Sequence, residues 1–117
     1  MPASKTNPRD LFPGALEMMV LESLRRQPAH GYALVQHIHQ RSNNLLQVEE
    51  GSLYPALYRM EQKGLIESEW GVSDNNRQAR FYKLTRKGRR EMQAEAASWD
   101  RLSAAVSRVL RAVEQEA

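Results

Sequence analysis

The C-terminal third of the 117-residue chain carries an apolar pattern that constrains the whole architecture. From residue 99 onward, apolar residues recur at spacings of 3, 4, 3 and 4, a heptad-like seam typical of a helix that packs on another helix. The seam consists of Trp99, Leu102, Val106, Val109 and Val113, joined by Met92 and Leu110. It predicts a helix from residue 86 to about residue 115, which would span about 45 Å. A body of this size cannot cover such a helix, so we expect a second copy of the chain to cover its distal half.

Three shorter helices are predicted before this one. Apolar periodicity places them over residues 15–26, 30–41 and 50–63. In the third, Leu53, Ala56, Leu57 and Met60 fall within one narrow arc, and Gly64 supplies a left-handed C-terminal stop. The first carries apolar residues over too wide an arc to bury only one stripe. We therefore expect it to contact both its own core and a partner, and we assign its Leu16 and Met19 to the dimer interface.

Between the third and last helices, the sequence predicts a β-hairpin. Residues 65–70 and 79–84 read as strands joined by a polar turn over residues 71–78, and Thr85 is a plausible N-cap for the last helix. The expected fold is mostly α with a small β-hairpin (α+β). Its element order is that of a winged helix-turn-helix followed by a long C-terminal dimerisation helix.

The chain is expected to form one globular unit in three segments. These are a flexible lead over residues 1–12, a winged helix-turn-helix domain over residues 13–85 and the dimerisation helix over residues 86–117. The apolar fraction of 41% and the charged fraction of 26% are ordinary for a folded protein. The absence of cysteine fits a reducing compartment, and no segment reads as a signal peptide or membrane span. We therefore expect a cytoplasmic protein.

The distribution of charge says more than the net charge of +3. Between Arg77 and Arg90 there are seven basic residues and no acidic ones. A helix fits the major groove of duplex DNA, and a basic hairpin beside it can reach phosphates or the minor groove. The block therefore indicates a DNA-contacting surface, although a charged face exposed only to water is the alternative.

Three ordered motifs carry a family resemblance. They are HGYAL at residues 30–34, GSLYPALYRMEQKGLI at residues 51–66 and RFYKLTRKG at residues 80–88. Together they resemble the PadR family of bacterial transcriptional regulators, over about residues 11–113. The resemblance implies a winged helix-turn-helix dimer of the smaller subfamily, joined through a single C-terminal helix and assisted by the first helix. It also implies repression at promoter-proximal operators, released in some members by aromatic or planar small molecules.

Nine residues are predicted to contact DNA. They are Tyr32 in the second helix, Ser52, Tyr54, Pro55, Tyr58 and Arg59 in the third, and Arg77, Arg80 and Lys83 in the hairpin. Arg59 is suited to bidentate pairing with guanine. Alternatives stay open: Tyr54 and Tyr58 could pack on the hairpin or second helix, Tyr32 could be a core tyrosine, and Lys83 could point elsewhere. The basic residues at 86, 87, 89 and 90 are interpreted as solvated charge.

Trp99 is the seam residue of greatest interest. Near a two-fold axis it would face its counterpart in the partner, and a gap between the two rings could accept a planar aromatic effector. Packing alone is the competing interpretation.

No catalytic or metal site can be assembled from the sequence. His37 and His39 would point about 200° apart on a helix, so they cannot share a metal ion. We predict no enzyme activity and no cofactor. The predicted function is a sequence-specific, homodimeric repressor on a palindromic operator; the alternative is a winged-helix protein-interaction module that binds DNA only weakly and non-specifically.

Overall fold

The computed structural model describes residues 14–116, with side chains described as far as residue 111. In chain order its elements are α1 (Ala15–Arg26), β1 (Ala29–His30), α2 (Gly31–Arg41), α3 (Glu50–Gln62), β2 (Ile66–Val72), β3 (Gln78–Leu84) and α4 (Arg86–Glu116). The predicted fold class is confirmed, with four helices, a small antiparallel sheet and a long C-terminal helix. The lead over residues 1–12 and the side chain of Val113 lie outside the described part.

The helices begin and end within one residue of the prediction. The second starts at Gly31 because His30 stays extended and caps it: the His30 Nδ1 accepts a hydrogen bond of 3.2 Å from the Ala33 amide. Gly64 ends α3 with a φ of 76°, the left-handed conformation expected of it.

The sheet has three strands rather than the two expected. β1 pairs antiparallel with β3, so the strand order is β1-β3-β2. A two-residue strand has no apolar alternation to detect, and only its pairing with Phe81 and Tyr82 reveals it. The hairpin strands are also longer than expected, and the turn shrinks to residues 73–77, closed by a 2.8 Å bond from the Ser73 amide to the Arg77 carbonyl.

The core lies between α1, α2, α3, the sheet and the first turns of α4. The predicted buried face of α3 is confirmed, since Leu53, Ala56, Leu57 and Met60 are all buried. Met92, which the sequence assigned to the seam, is instead buried in this core because the start of α4 packs on α1. The seam proper therefore begins beyond it.

A compact joint connects the end of α3, the start of β2 and the start of α4. The Thr85 hydroxyl oxygen lies 2.6 Å from the Gly64 carbonyl and 3.0 Å from that of Leu65, and it accepts a 3.0 Å bond from the Gly88 amide. Thr85 thus caps α4, as predicted, and ties it to α3. Gly88 lies so close to the backbone of Leu65 that a Cβ at residue 88 would overlap the Leu65 carbonyl oxygen.

Beyond its contacts with α1, α4 extends away from the body, and the longest dimension of the described chain is 59 Å. Four large apolar side chains on it are exposed: Leu102, Val106, Val109 and Leu110. None of the helices among residues 14–116 is long and apolar enough to cross a membrane.

Candidate nucleic-acid interface

A groove of about 910 Å³ runs between the N-terminal end of α2 and the β2–β3 hairpin. We call the hairpin, residues 66–84, the wing, and this cavity the wing groove. Four of the nine predicted DNA-contacting residues line it: Tyr32, Tyr54, Arg77 and Arg80. The fold therefore brings together side chains from α2, α3 and the wing that are up to 48 positions apart in the sequence.

Tyr54 reaches the groove by crossing over Gly31 at the start of α2. A Cβ added to Gly31 would lie only 2.6 Å from the Tyr54 hydroxyl oxygen and 2.9 Å from its Cζ, so only glycine permits this approach. The ring nevertheless remains 47% exposed. Tyr54 therefore packs on α2 with one side of its ring, as the alternative interpretation proposed. The rest of its surface stays open to a ligand.

Tyr32 is not a core tyrosine. Its ring is exposed, and its hydroxyl accepts a 3.0 Å hydrogen bond from the Gln36 side-chain amide one turn along α2. This bond leaves the phenolic proton available for another acceptor.

Arg80 is held on the inner face of the wing, the face that turns towards α3. Its Nε donates a 2.7 Å hydrogen bond to the Ser68 hydroxyl, which in turn donates at 2.8 Å to Glu61 on α3. The Arg80 guanidinium also lies 3.5 Å from the Glu61 carboxylate. This network fixes the wing against the end of α3, and nothing in the sequence pattern alone indicated Glu61 or Ser68.

Lys83 lies on the opposite face of the wing. Successive residues of a strand alternate between faces, so Lys83 cannot share the face of Arg80 and Tyr82. Its ammonium group pairs at 3.3 Å with Glu67, its partner across the two strands. Lys83 does not line the wing groove.

The outward surface of α3 carries the remaining predicted residues. Pro55 and Tyr58 are exposed, Tyr58 to 66%, which contradicts the alternative that Tyr58 packs on the wing or α2. Ser52, in the first turn, is partly buried. The Arg59 guanidinium donates a 2.7 Å hydrogen bond to Glu17 on α1, so this arginine already holds an internal carboxylate partner.

Two aromatic residues of the groove went unassigned in the sequence. Trp70 on β2 is 69% exposed, although its position two residues after Ser68 places it on the inner face. Tyr82 is buried at the base of the groove. Burial raises the pKa of the Tyr82 phenol above its usual value, an effect opposed by nearby Arg80, so its hydroxyl stays protonated at neutral pH. Strand alternation counted from Arg80 would have found Tyr82, whereas Trp70 is found only when the register of β2 against β3 is known.

Three of the predicted interface residues, Leu16, Met19 and Trp99, are less exposed than Leu102, Val106 and Val109. Leu16 is only 7% exposed and belongs to the core of its own chain, so little of its surface is left for a partner. Met19 and Trp99 are partly buried and line a second, largely apolar cavity of about 370 Å³ between α1, α2 and α4. Arg26 and Arg41 also line this cavity.

Comparison with known proteins agrees with this architecture. The family model described as "Transcriptional regulator PadR-like family" matches residues 20–94, from within α1 to the first turns of α4. Among sequences, a transcriptional regulator from Mycobacterium tuberculosis is 35% identical, with the match covering 69% of this chain and 72% of the relative.

Two solved structures are similar in both sequence and fold. A PadR family transcriptional regulator from Eggerthella lenta is 35% identical with a TM-score of 0.71, covering 83% of this chain and 82% of that one. A PadR-like transcriptional regulator from Bacillus cereus is 30% identical with a TM-score of 0.72, covering 84% and 93% of the two chains.

Proposed function

Because the chain belongs to the PadR-like family of transcriptional regulators, whose members bind DNA, we propose that it represses transcription as a homodimer on a palindromic operator. The observation that carries the proposal is the wing groove, where four of the predicted DNA-contacting side chains converge. In this proposal α3 enters the major groove and the wing contacts the flanking backbone.

The chemistry of the two surfaces suits these roles. The 13 residues of α3 span about 20 Å, and Tyr58 on its outward surface is free to reach base edges or phosphates. The wing supplies two guanidinium groups, Arg77 and Arg80, and guanidinium is well matched to phosphate oxygens. Phosphate contacts set affinity and register, while base contacts from α3 set sequence preference.

The exposed apolar residues of α4 support the homodimer. Large apolar patches on a protein surface mark contact sites, and a two-fold axis lets one patch cover its own copy. Two copies joined in this way present two α3 helices to one side of a duplex. Half-sites about one or two helical turns apart are then expected.

Arg77→Ala is expected to weaken binding about tenfold at low salt, measured on a duplex taken from the DNA upstream of the gene that encodes this chain. Arg77 sits at the exposed wing turn, and losing one phosphate contact should reduce the slope of log affinity against log salt by about 0.9. Fluorescence anisotropy between about 50 and 200 mM salt measures both quantities.

The matched control is Arg89→Ala, which removes an exposed arginine of α4 that lies outside the wing groove. Arg89→Ala should leave the slope of log affinity against log salt unchanged. Weak parent binding that is equal for every duplex would reject the repressor proposal and favour the protein-interaction module.

We also propose that a planar aromatic effector binds beside Trp99 and releases the DNA. The cavity lined by Met19 and Trp99 falls within the size range of small-molecule sites, and its largely apolar lining suits the face of an aromatic ring. Its two arginines, Arg26 and Arg41, are matched by two carboxylates, Glu22 and Asp100. Trp99→Ala is expected to weaken binding of the planar anionic dye 1-anilinonaphthalene-8-sulfonate at least about fivefold, because stacking area is lost. Trp99→Phe, which keeps an aromatic ring, should weaken binding of the dye less than Trp99→Ala does. A Trp99→Ala dimer that binds the dye as tightly as the parent would reject the site.

A further inference from the structure

Trp70 is an exposed tryptophan at the edge of a basic groove. Its side chain is 69% exposed and lines the wing groove with Tyr32, Tyr54 and Arg80. An indole left in water forgoes the stabilisation that burial of its large apolar surface would bring. Such a side chain at the mouth of a concave site is a candidate for contact with a ligand.

The local structure keeps the indole available to the groove. Trp70 is directly paired with Arg80 across the two strands, so both side chains stand on the inner face of the wing. The Arg80 guanidinium is engaged by Ser68 and Glu61. The groove therefore presents an apolar ring beside an anchored cation.

We infer that Trp70 is a DNA-contacting residue that packs its ring on a deoxyribose of the duplex backbone, with its N–H directed to a phosphate oxygen. The inference rests on the proposed function and adds a residue to the same site. The bases of a duplex are stacked inside it, so a side chain on the wing, beside α3, meets sugar and phosphate first. Indole offers the matching chemistry, an apolar face and a single donor.

Arg77, Arg80 and the hydroxyls across the groove make the surroundings complementary to an anionic backbone. Tyr32 keeps a phenolic proton for an acceptor, and Tyr54 is partly exposed on the same wall. Asp74 is the one acidic residue among those that line the groove in the described part of the chain. The lining carries two guanidinium groups against one carboxylate, and because Arg80 is paired with Glu61, Arg77 is the cation that favours an anionic partner.

The test separates an apolar contact from an ionic one. Trp70→Ala should weaken binding about tenfold, as expected for truncating a large aromatic at an interface, and equally for operator and unrelated duplexes. The slope of log affinity against log salt should not change, because tryptophan carries no charge.

Two further variants refine the test. Trp70→Phe keeps apolar area but lacks the N–H donor, so its affinity for DNA should fall between those of Trp70→Ala and the parent. Val72→Ala is the matched control, since Val72 is exposed on the same face of β2 but does not line the groove. Val72→Ala should change the affinity for DNA less than about twofold.

Fluorescence gives an independent readout. The chain has two tryptophans, so Trp99→Phe leaves Trp70 as the only indole. Duplex DNA should change its emission with the same midpoint as the anisotropy titration. Sedimentation of each variant checks that the oligomeric state matches that of the parent.

Three outcomes would overturn the inference. If the parent and Arg77→Ala behave as expected but Trp70→Ala binds like the parent, Trp70 does not contact DNA and the proposed function still stands. If Trp70→Ala alters self-association and leaves DNA affinity unchanged, the residue serves a protein contact. If the parent binds no duplex measurably, the proposed function and the inference fail together.

Discussion

Replacing Gly88 with alanine is expected to lower the free energy of unfolding by about 3 kcal/mol, at the upper end of what overpacking costs. The added methyl group would overlap the Leu65 carbonyl oxygen and lie 2.9 Å from the Leu84 Cδ1. The carbonyl belongs to the backbone at the start of β2 and cannot rotate away as a side-chain end could. Relief requires α4 to move off the joint, which would break the hydrogen bonds of Thr85.

Gly51→Ala provides the control. Gly51 lies in the first turn of α3 with no atom within 4 Å of an added Cβ, so alanine should be neutral or stabilise by up to about 1 kcal/mol through helix propensity. Urea denaturation followed by circular dichroism, at one fixed protein concentration, compares both variants with the parent. Equal midpoints for Gly88→Ala and the parent would show that the joint is more deformable than its geometry indicates.

Val106→Glu is expected to convert the proposed homodimer into monomers and to weaken binding to the proposed operator at least about a hundredfold, because each monomer would hold one half-site. Val106 lies among the exposed apolar residues of α4, where two copies would bury it. Two carboxylates facing each other across such an interface would lose water without gaining a partner. Sedimentation gives the oligomeric state, and anisotropy gives the affinity.

Ala104→Glu introduces the same charge two residues away. Residue 104 is exposed and points about 200° from residue 106 around the helix, so it should remain outside the interface. This variant should stay dimeric and bind DNA like the parent. If both variants dissociate alike, or neither does, then the seam is not the dimer interface.

The helices were predictable from the sequence because each has 11 or more residues, enough for the apolar spacing to recur over about three turns. Strand β1 was not, because two residues cannot establish a period and its pairing partner lies more than 50 positions away. The face on which Lys83 lies could be read from the sequence. Residues 80 and 83 of one strand fall on opposite faces by alternation alone, without knowledge of the register.

The groove was predictable only in part. Arg77 and Arg80 were predicted from the basic hairpin, and Tyr32 and Tyr54 from the second and third helices. The links that orient these residues join separate elements, such as Arg80 on β3 with Glu61 on α3. Such pairs depend on how elements pack against one another, and no local spacing encodes that. Trp70 was missed because an aromatic residue in a strand is more often interior.

The hydrogen bond between Arg59 and Glu17 changes what this arginine can offer to DNA. One N–H of the Arg59 guanidinium is bonded to the Glu17 carboxylate at 2.7 Å, and a guanidinium carries five N–H donors, so others stay available to DNA. The carboxylate offsets part of the positive charge that attracts a phosphate, whereas hydrogen bonds to the two aligned acceptors of a guanine depend on where the donors point. Arg59 should therefore contribute less than an unpaired arginine on arbitrary DNA and more where a guanine is in reach, so that a carboxylate on the first helix sharpens the selectivity of the third.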